Sequence, residues 1–539
     1  MSLSLLSSVA ALGLFLIPAH HPQHRTTAVR MGADEEVDWR EMRARLMAQE
    51  KQVDGEGEAE EAPAASGGFV YESPLIEQGT ILLGGTQQAF GFALRQQFFH
   101  KCVLLLLHHD EQFTKGIILN RPTALELDGW RVWCGHGQVA EGGIFVGEDA
   151  AIGQLEINCL HSLEGFVADK CSTRVIKGVS YTSLTAAKAL VAAGAAKKSD
   201  FYVCVGYSGW APGQLQSEVD ARDSWYLAAA DGGTLLEELL RQTAELPPKS
   251  YYSMPGASCD DLLGKDTWAS LMRGIGRAAD VAESEGSLSD RMLSEWIRAH
   301  LLPKPTTPAP SASPPQVAVG SVVCSRVAPA TGRPADRVLL REQFLHKSVM
   351  LIIDELEQEG TWVACVLNRP TATLVQFNTP GSPRRRLPVC GDKPFRGSRL
   401  NGDGSGQLWL HYRSELGGSA FGESGLYSLA SDEVMRLLEA GEMQASELMV
   451  LSGIVEFGRA ELAGMLTAGE ASIVPPGAPL RELWPRVWAL NDAEGDEPSD
   501  GTDVWYIASQ CGSEQLAAPA PAGLADEALD EWLKFFARS

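Results

Sequence analysis

The chain has 539 residues, 45% of them apolar, with a formal net charge of -24 and a pI near 4.9. That length and apolar content suffice for two large cores. The acidity works against direct nucleic-acid binding, which relies on Lys and Arg neutralising phosphates. Ten scattered cysteines contain no CxxC pair, so neither a zinc ribbon nor a thioredoxin-type site is indicated, and no cofactor is implied.

Residues 1–33 contain no acidic residue; an apolar run from Leu3 to Ala19 gives way to His, Thr and Arg. The pattern reads as a cleaved targeting segment of the kind carried to a plastid, with the mitochondrion or the secretory route as the alternative. No mature stretch has the length of a membrane span. Asp34 to Gln49 has helical spacing, with Trp39, Met42 and Leu46 on one side. Lys51 to Gly68 has too few large apolar groups to pack and is expected to be a disordered acidic linker.

A first domain is expected over 69–302. Thr80 to Leu83 reads as a strand, and the apolar runs Val103 to Leu107 and Lys115 to Leu119 as a hairpin. Pro122 lacks a donor, so Asn120-Arg121-Pro122 marks a strand end. Leu155 to His161 is a further strand. Ser183 is placed to cap a helix through Ala193, stopped at Gly194. Phe201 to Val205 is a strand, Gly206 to Trp210 a turn, and Pro212 the start of a helix through Val219. Trp225 to Ala229 is a strand, and Leu235 to Leu246, Leu262 to Ile275 and Ser289 to Leu302 are helices.

A Pro-rich spacer (303–317) leads to a second domain over 318–539, which repeats the plan. Gln97-Phe98-Phe99-His100-Lys101 recurs as Gln343-Phe344-Leu345-His346-Lys347, and Asn120-Arg121-Pro122 as Asn368-Arg369-Pro370. Residues 178–215 match 425–462 without a gap, and Trp225-Tyr226 is taken to recur as Trp505-Tyr506. Arg384-Arg385-Arg386, in a Pro- and Gly-rich stretch, reads as a solvated loop. Leu524 to Ala537 is a terminal amphipathic helix.

The repeated His-Lys and Asn-Arg-Pro motifs, the glycines around Cys134, and Gly206-Tyr207-Ser208-Gly209-Trp210-Ala211-Pro212-Gly213-Gln214-Leu215 with Trp225 downstream resemble the AlgH/YqgE family. The first half is similar to its plant and algal plastid members, and the second half to a diverged copy. The resemblance implies an α/β (α+β) fold, two tandem domains each with a mostly antiparallel curved sheet flanked by helices. In bacteria the family carries the label of transcriptional regulator, without an established DNA-binding motif or a settled activity.

The candidate ligand-binding residues are Asn120, Arg121, Tyr207, Ser208, Trp210, Gln214, His100 and Lys101. Their second-copy counterparts are His346, Lys347, Asn368 and Arg369. Arg at a strand end can clamp a carboxylate or phosphate, or tie two loops through backbone carbonyls; the second role is favoured, because the motif survives in the copy that has lost the Tyr-Ser-Gly-Trp stretch. Ser208 sits where a nucleophile elbow would, but Trp210 replaces the small residue such an elbow needs. His108-His109-Asp110 offers adjacent side chains that point apart, so no metal site is expected there. Cys134 and Cys390 have no neighbour that would lower their pKa. The expected function is a non-catalytic regulatory or binding protein with a protein or small-molecule partner; the alternative is a hydrolase or transferase using the cleft near Ser208 and Arg121. Pairing of the two domains within one chain is a further expectation.

Overall fold

The computed structural model describes residues 39–53, 68–86, 93–141, 155–222, 224–254, 257–302, 316–327, 337–376, 384–394, 407–492, 497–511 and 523–537. The expected targeting segment and nearly all of the Pro-rich spacer lie outside the described residues. The chain divides into two compact units: residues 1–85, 101–246 and 264–282, and residues 86–100, 247–263 and 283–539. Three stretches of the first half therefore group with the second.

The first described element of the first unit is a helix, Trp39–Val53. It runs past the expected end, so Lys51 to Val53 are helical rather than part of a loose linker. Its basic side anchors it: Arg43 Nε donates to the Tyr71 hydroxyl at 3.2 Å, and Arg40 pairs with Glu77. Trp39, Met42 and Leu46, the apolar residues on one side of the helix, are exposed, Trp39 at 65%.

Twelve strands of this unit form two sheets. They are β1 (Val70–Glu72), β2 (Ile81–Gly84), β3 (Val103–His109), β4 (Thr114–Ile118), β5 (Pro122–Leu127), β6 (Trp130–Cys134), β7 (Ile157–His161), β8 (Thr173–Ile176), β9 (Val179–Ser183), β10 (Tyr202–Val205), β11 (Ser208–Trp210) and β12 (Trp225–Ala230). One sheet has the order β1-β12-β2-β3-β4-β11 and is antiparallel throughout; the other has the order β5-β6-β10-β7-β9-β8, with only β10 and β6 parallel. The β3 run Val-Leu-Leu-Leu-Leu is buried on both faces, which is why it does not alternate with polar residues. Ile81, Leu83, Leu105, Ile117, Trp133, Trp268 and Met272 belong to one core cluster. Ser183 caps the Leu184–Ala192 helix, its hydroxyl accepting from the Ala186 N–H, and Gly194 follows at φ +71°.

Three local expectations change. Gly206 to Trp210 is not a turn alone, because Ser208 to Trp210 form β11, paired with Gly116, Lys115 and Thr114 of β4. The helix after Pro212 is Gln214–Arg222. The Lys265–Gly274 helix begins after Gly264 rather than at Leu262, and a short helix, Ala278–Glu283, follows it.

The second unit carries β13 (Val322–Ser325), β14 (Ser348–Leu356), β15 (Thr361–Val366), β16 (Pro370–Val375), β17 (Arg385–Pro388), β18 (Leu408–His411), β19 (Ser419–Ala420), β20 (Tyr427–Leu429), β21 (Met449–Leu451), β22 (Val455–Gly458) and β23 (Ala471–Val474). They form an antiparallel sheet β22-β15-β14-β13-β23, a pair β16-β17, and a sheet β19-β20-β18-β21. Val349, Leu351, Cys365, Trp484, Trp488 and Trp505 lie in one of its core clusters. Two of the three residues of the basic run are not solvated, although Arg384 is exposed. Arg385 and Arg386 are buried on β17: Arg385 pairs with Asp492 and donates to the Trp488 carbonyl, and Arg386 reaches the Thr371 carbonyl. Two helices from opposite halves of the sequence, Leu288–His300 and Leu524–Phe536, also belong to this unit.

Eight of the ten cysteines are buried, Cys511 is half-buried and Cys171 is exposed. No helix of the described residues is long and apolar enough to cross a membrane.

Candidate functional site

Asn120 follows β4 and is fully buried. Its Oδ1 accepts from the Val103 N–H at 2.7 Å, and its Nδ2 donates to the carbonyls of Lys101 (2.9 Å) and Gly264 (2.7 Å). Asn368 repeats the arrangement: Oδ1 accepts from Val349, and Nδ2 donates to Lys347 and Gly501. Gly264 and Gly501 are both left-handed (φ +60° and +70°) and both precede a helix; a Cβ on either would lie about 2 Å from the asparagine carbonyl oxygen. Only glycine fits that approach.

Arg121 and Arg369 are 0% exposed. Arg369 Nε donates to Phe344 O, Nη1 to Asn368 O and Asp500 O, and Nη2 to His346 O and Lys347 O. Its donors are committed to five carbonyls, and burial lowers its pKa to about 10. Arg121 Nη1 donates likewise to the Asn120 carbonyl at 2.9 Å. The loop-tying role is the one this geometry performs.

Lys101 joins the first of these knots, and His346 and Lys347 the second. Lys101 and Lys347 have φ of +51° and +54°, a left-handed conformation that a non-glycine residue holds only when its surroundings impose it. Lys101 Nζ lies 5.4 Å above the Trp268 ring, and Lys347 Nζ 5.7 Å above Trp505 while also bonded to Asp526. His100 Nε2 pairs with Asp290 at 2.9 Å and His346 Nε2 with Asp526 at 3.1 Å. Desolvation works to raise the Asp526 pKa, but the bonds from His346, Lys347 and the Gly523 N–H outweigh it and hold the carboxyl well below its usual range.

These contacts correct one reading. Trp505 stands on the Thr502–Gln510 helix beneath Lys347, as Trp268 stands on the Lys265–Gly274 helix beneath Lys101. It is the counterpart of Trp268, not of Trp225. β12 pairs with β2 in the first sheet as β23 pairs with β13 in the second unit. The shared signal Gly-x-Asp-x-Trp (264–268 and 501–505) was available in the sequence.

The segment from Tyr207 to Gln214 is organised by Glu218, a residue the sequence reading missed. Trp210 Nε1 and Trp225 Nε1 both donate to Glu218 Oε2 (3.0 and 2.9 Å), and Gln214 Nε2 donates to Oε1 at 2.9 Å. Gln214 Oε1 in turn accepts from the Ala211 N–H. The signal was the i, i+4 spacing of Gln214 and Glu218 on one helix face. Tyr207 meets the Phe113 ring edge-on, and Lys115 Nζ lies 4.9 Å above the Tyr207 ring while pairing with Glu156. Ser208 Oγ is buried and has no hydrogen-bond partner among the described residues.

The Asn-Arg knot and the Tyr207–Gln214 segment have a piece of backbone between them. The Cys134 N–H donates to Arg121 O, and the Gly135 N–H to Val205 O. The side chains of Cys134 and Cys390 are buried, and burial pushes both thiols up to about 12. His108 turns to Asp110 and His109 to Thr114. Among the described residues no group of three or more His, Cys, Asp or Glu side chains is placed to hold a metal ion.

Residues 91–249 match the family described as AlgH-like. The chain is 35% identical over 174 residues to a UPF0301 protein of Streptomyces avermitilis, covering 30% of this chain and 86% of that one. It is 33% identical over 146 residues to a UPF0301 protein of Streptomyces coelicolor, covering 26% of this chain and 72% of that one. Among solved structures it is similar to the AlgH protein of Pseudomonas aeruginosa, with 20% identity, a TM-score of 0.23, and coverage of 34% and 87% of the two chains.

Proposed function

This chain belongs to the AlgH-like UPF0301 family, and on that footing we propose that it is a non-catalytic regulatory or binding protein, built from two copies of the family domain and working in the plastid. It acts through a protein or small-ligand contact at the β11 edge of the first unit's sheet. The observation that carries this reading is the composition of that edge. β11 is a terminal strand of its sheet, and Phe113 (37% exposed), Tyr207, Lys115 and Glu156 gather beside it. A short strand edge flanked by aromatic rings suits an extended segment, with the main chain supplying hydrogen bonds and the rings supplying selectivity. The second unit's terminal strand β22 is differently equipped. Arg337 stacks on Phe457 and donates to the Glu456 carbonyl, and Glu456 pairs with Lys393.

The hydrolase alternative is weaker because Ser208 lies within a strand, its Oγ buried at 2% residue exposure. A nucleophile needs a base in hydrogen-bond reach. The test compares wild type with Phe113→Ala/Tyr207→Ala and with Ser208→Ala, profiling co-purifying proteins and metabolites by mass spectrometry. The double variant is expected to lose a bound species while remaining folded, and Ser208→Ala to keep it. A turnover that disappears with Ser208→Ala would replace this reading with the enzyme.

A further inference from the structure

Within the second unit, two segments from opposite halves of the sequence meet through reciprocal contacts. Gln97 Nε2 donates to the Leu340 carbonyl at 2.8 Å, and Gln343 Nε2 donates to the Leu94 carbonyl at 2.6 Å. Gln97 and Gln343 hold the same place in the repeated motif, as do Leu94 and Leu340, so each half gives the other the bond it receives. Each glutamine also holds its own preceding turn, at Ala93 O and Leu339 O respectively. This is the pattern of a two-fold, self-complementary interface.

The helices behind the glutamines follow the same relation. Asp290 takes His100 and Asp526 takes His346; Phe98 packs on Trp296 and Phe344 on Trp532. Asp290 and Asp526 are therefore counterparts, and so are Arg291 and Glu527, the residues after them. Arg291 and Glu527 bond to each other through the two terminal guanidinium nitrogens, Nη1 and Nη2, which places the pair at the local axis. The halves differ where a perfect two-fold would make them alike. A homotypic pairing would set arginine against arginine or glutamate against glutamate, and like charges so placed repel. The same asymmetry appears at the helix ends, where Arg95 lies 5.1 Å from the centre of the Phe536 ring while the counterpart of Phe536 is His300.

We infer that the Gln97–Arg291 face and the Gln343–Glu527 face form a heterotypic pairing surface, by which one chain closes on itself as a pseudo-dimer and does not pair homotypically with a second copy. The glutamines supply register, and the Arg291–Glu527 pair supplies partner choice. The spacer between the halves makes the pairing intramolecular and raises the effective concentration of each face for the other.

The test uses the full chain with a protease site placed in the spacer between Pro305 and Ser313. After cutting, the two pieces are expected to co-elute at the mass of the intact chain, with native mass spectrometry showing only the mixed pair. Gln343→Ala should weaken that association about tenfold. R291E, an exposed change that leaves the core alone, should weaken it about fivefold, and R291E/E527R should restore it. Pieces that separate on cutting would overturn the inference. So would homotypic pairs, a mixed pair indifferent to all three variants, or an intact chain that forms dimers dependent on Gln343.

Discussion

The carbonyl oxygen of Asn120 stands 2.0 Å from the point a Cβ on Gly264 would occupy. The loop after β4 and the start of the Lys265–Gly274 helix are in backbone contact there, and the Asn120 side chain closes the junction by donating to the Gly264 carbonyl. Gly264→Ala is expected to cost about 3 kcal/mol or more, since the new methyl meets backbone and the residue is left-handed. Gly213→Ala, at φ +72° with open space around it, should cost only about 1 kcal/mol. Urea unfolding of both variants checks the difference; equal losses would mean that the close approach is unimportant.

Arg369→Lys should destabilise the second unit by about 3 kcal/mol although it keeps the charge. A lysine cannot reach five carbonyls arranged around a guanidinium fork, and each carbonyl left unpaired in the interior is costly. Calorimetry on wild type and variant gives the number. A near-neutral result would show that the carbonyls find other donors.

Acid should weaken the first unit through His136. Burial lowers this imidazole to about 4, and its Nδ1 accepts from the Gln138 N–H, so the native ring is neutral. The unfolded ring titrates near 6.5 and takes up a proton first as the pH falls. Stability is therefore lost from about pH 6.5 downward, by about 2 kcal/mol between pH 7 and pH 5. His136→Gln should flatten that part of the profile relative to wild type, as read by denaturant unfolding at the two pH values.

Glu218→Leu is expected to cost about 2–3 kcal/mol and to change the near-ultraviolet circular dichroism. It removes the acceptor shared by the Trp210 and Trp225 indoles. Glu218→Gln keeps one acceptor oxygen and should fall between the two. Unchanged tryptophan signals in Glu218→Leu would show that ring packing alone orients them.

The positions of several strands could be read from the sequence because β2, β3, β4 and their second-unit counterparts are dense apolar runs bounded by polar breaks. The Ser183 cap and the Gly194 stop were visible for the same local reasons. What the sequence concealed depends on contacts distant along the chain. Trp505 belongs to a short Trp-Tyr dipeptide that invites alignment with Trp225, yet its place is set by Lys347 and Gly501. Arg385 and Arg386 look like solvent residues until Asp492 and the carbonyls of Trp488 and Thr371 close around them. The Trp39–Met42–Leu46 face has helical period, and period does not reveal which side of a helix the arginines will claim. The Asn-Arg repeat was legible as a motif; that Arg369 spends its donors on backbone became clear only from the fold.

The cysteines behave as small apolar filler, with one exception. Burial pushes the thiols of Cys102, Cys134, Cys159 and Cys390 up to about 12, which leaves almost no thiolate at neutral pH. Cys171, exposed at the end of the Phe166–Cys171 helix, is therefore where a maleimide dye should attach first. Under air oxidation that same position would link two molecules together, and Cys171→Ser would leave a chain suited to long storage without reductant.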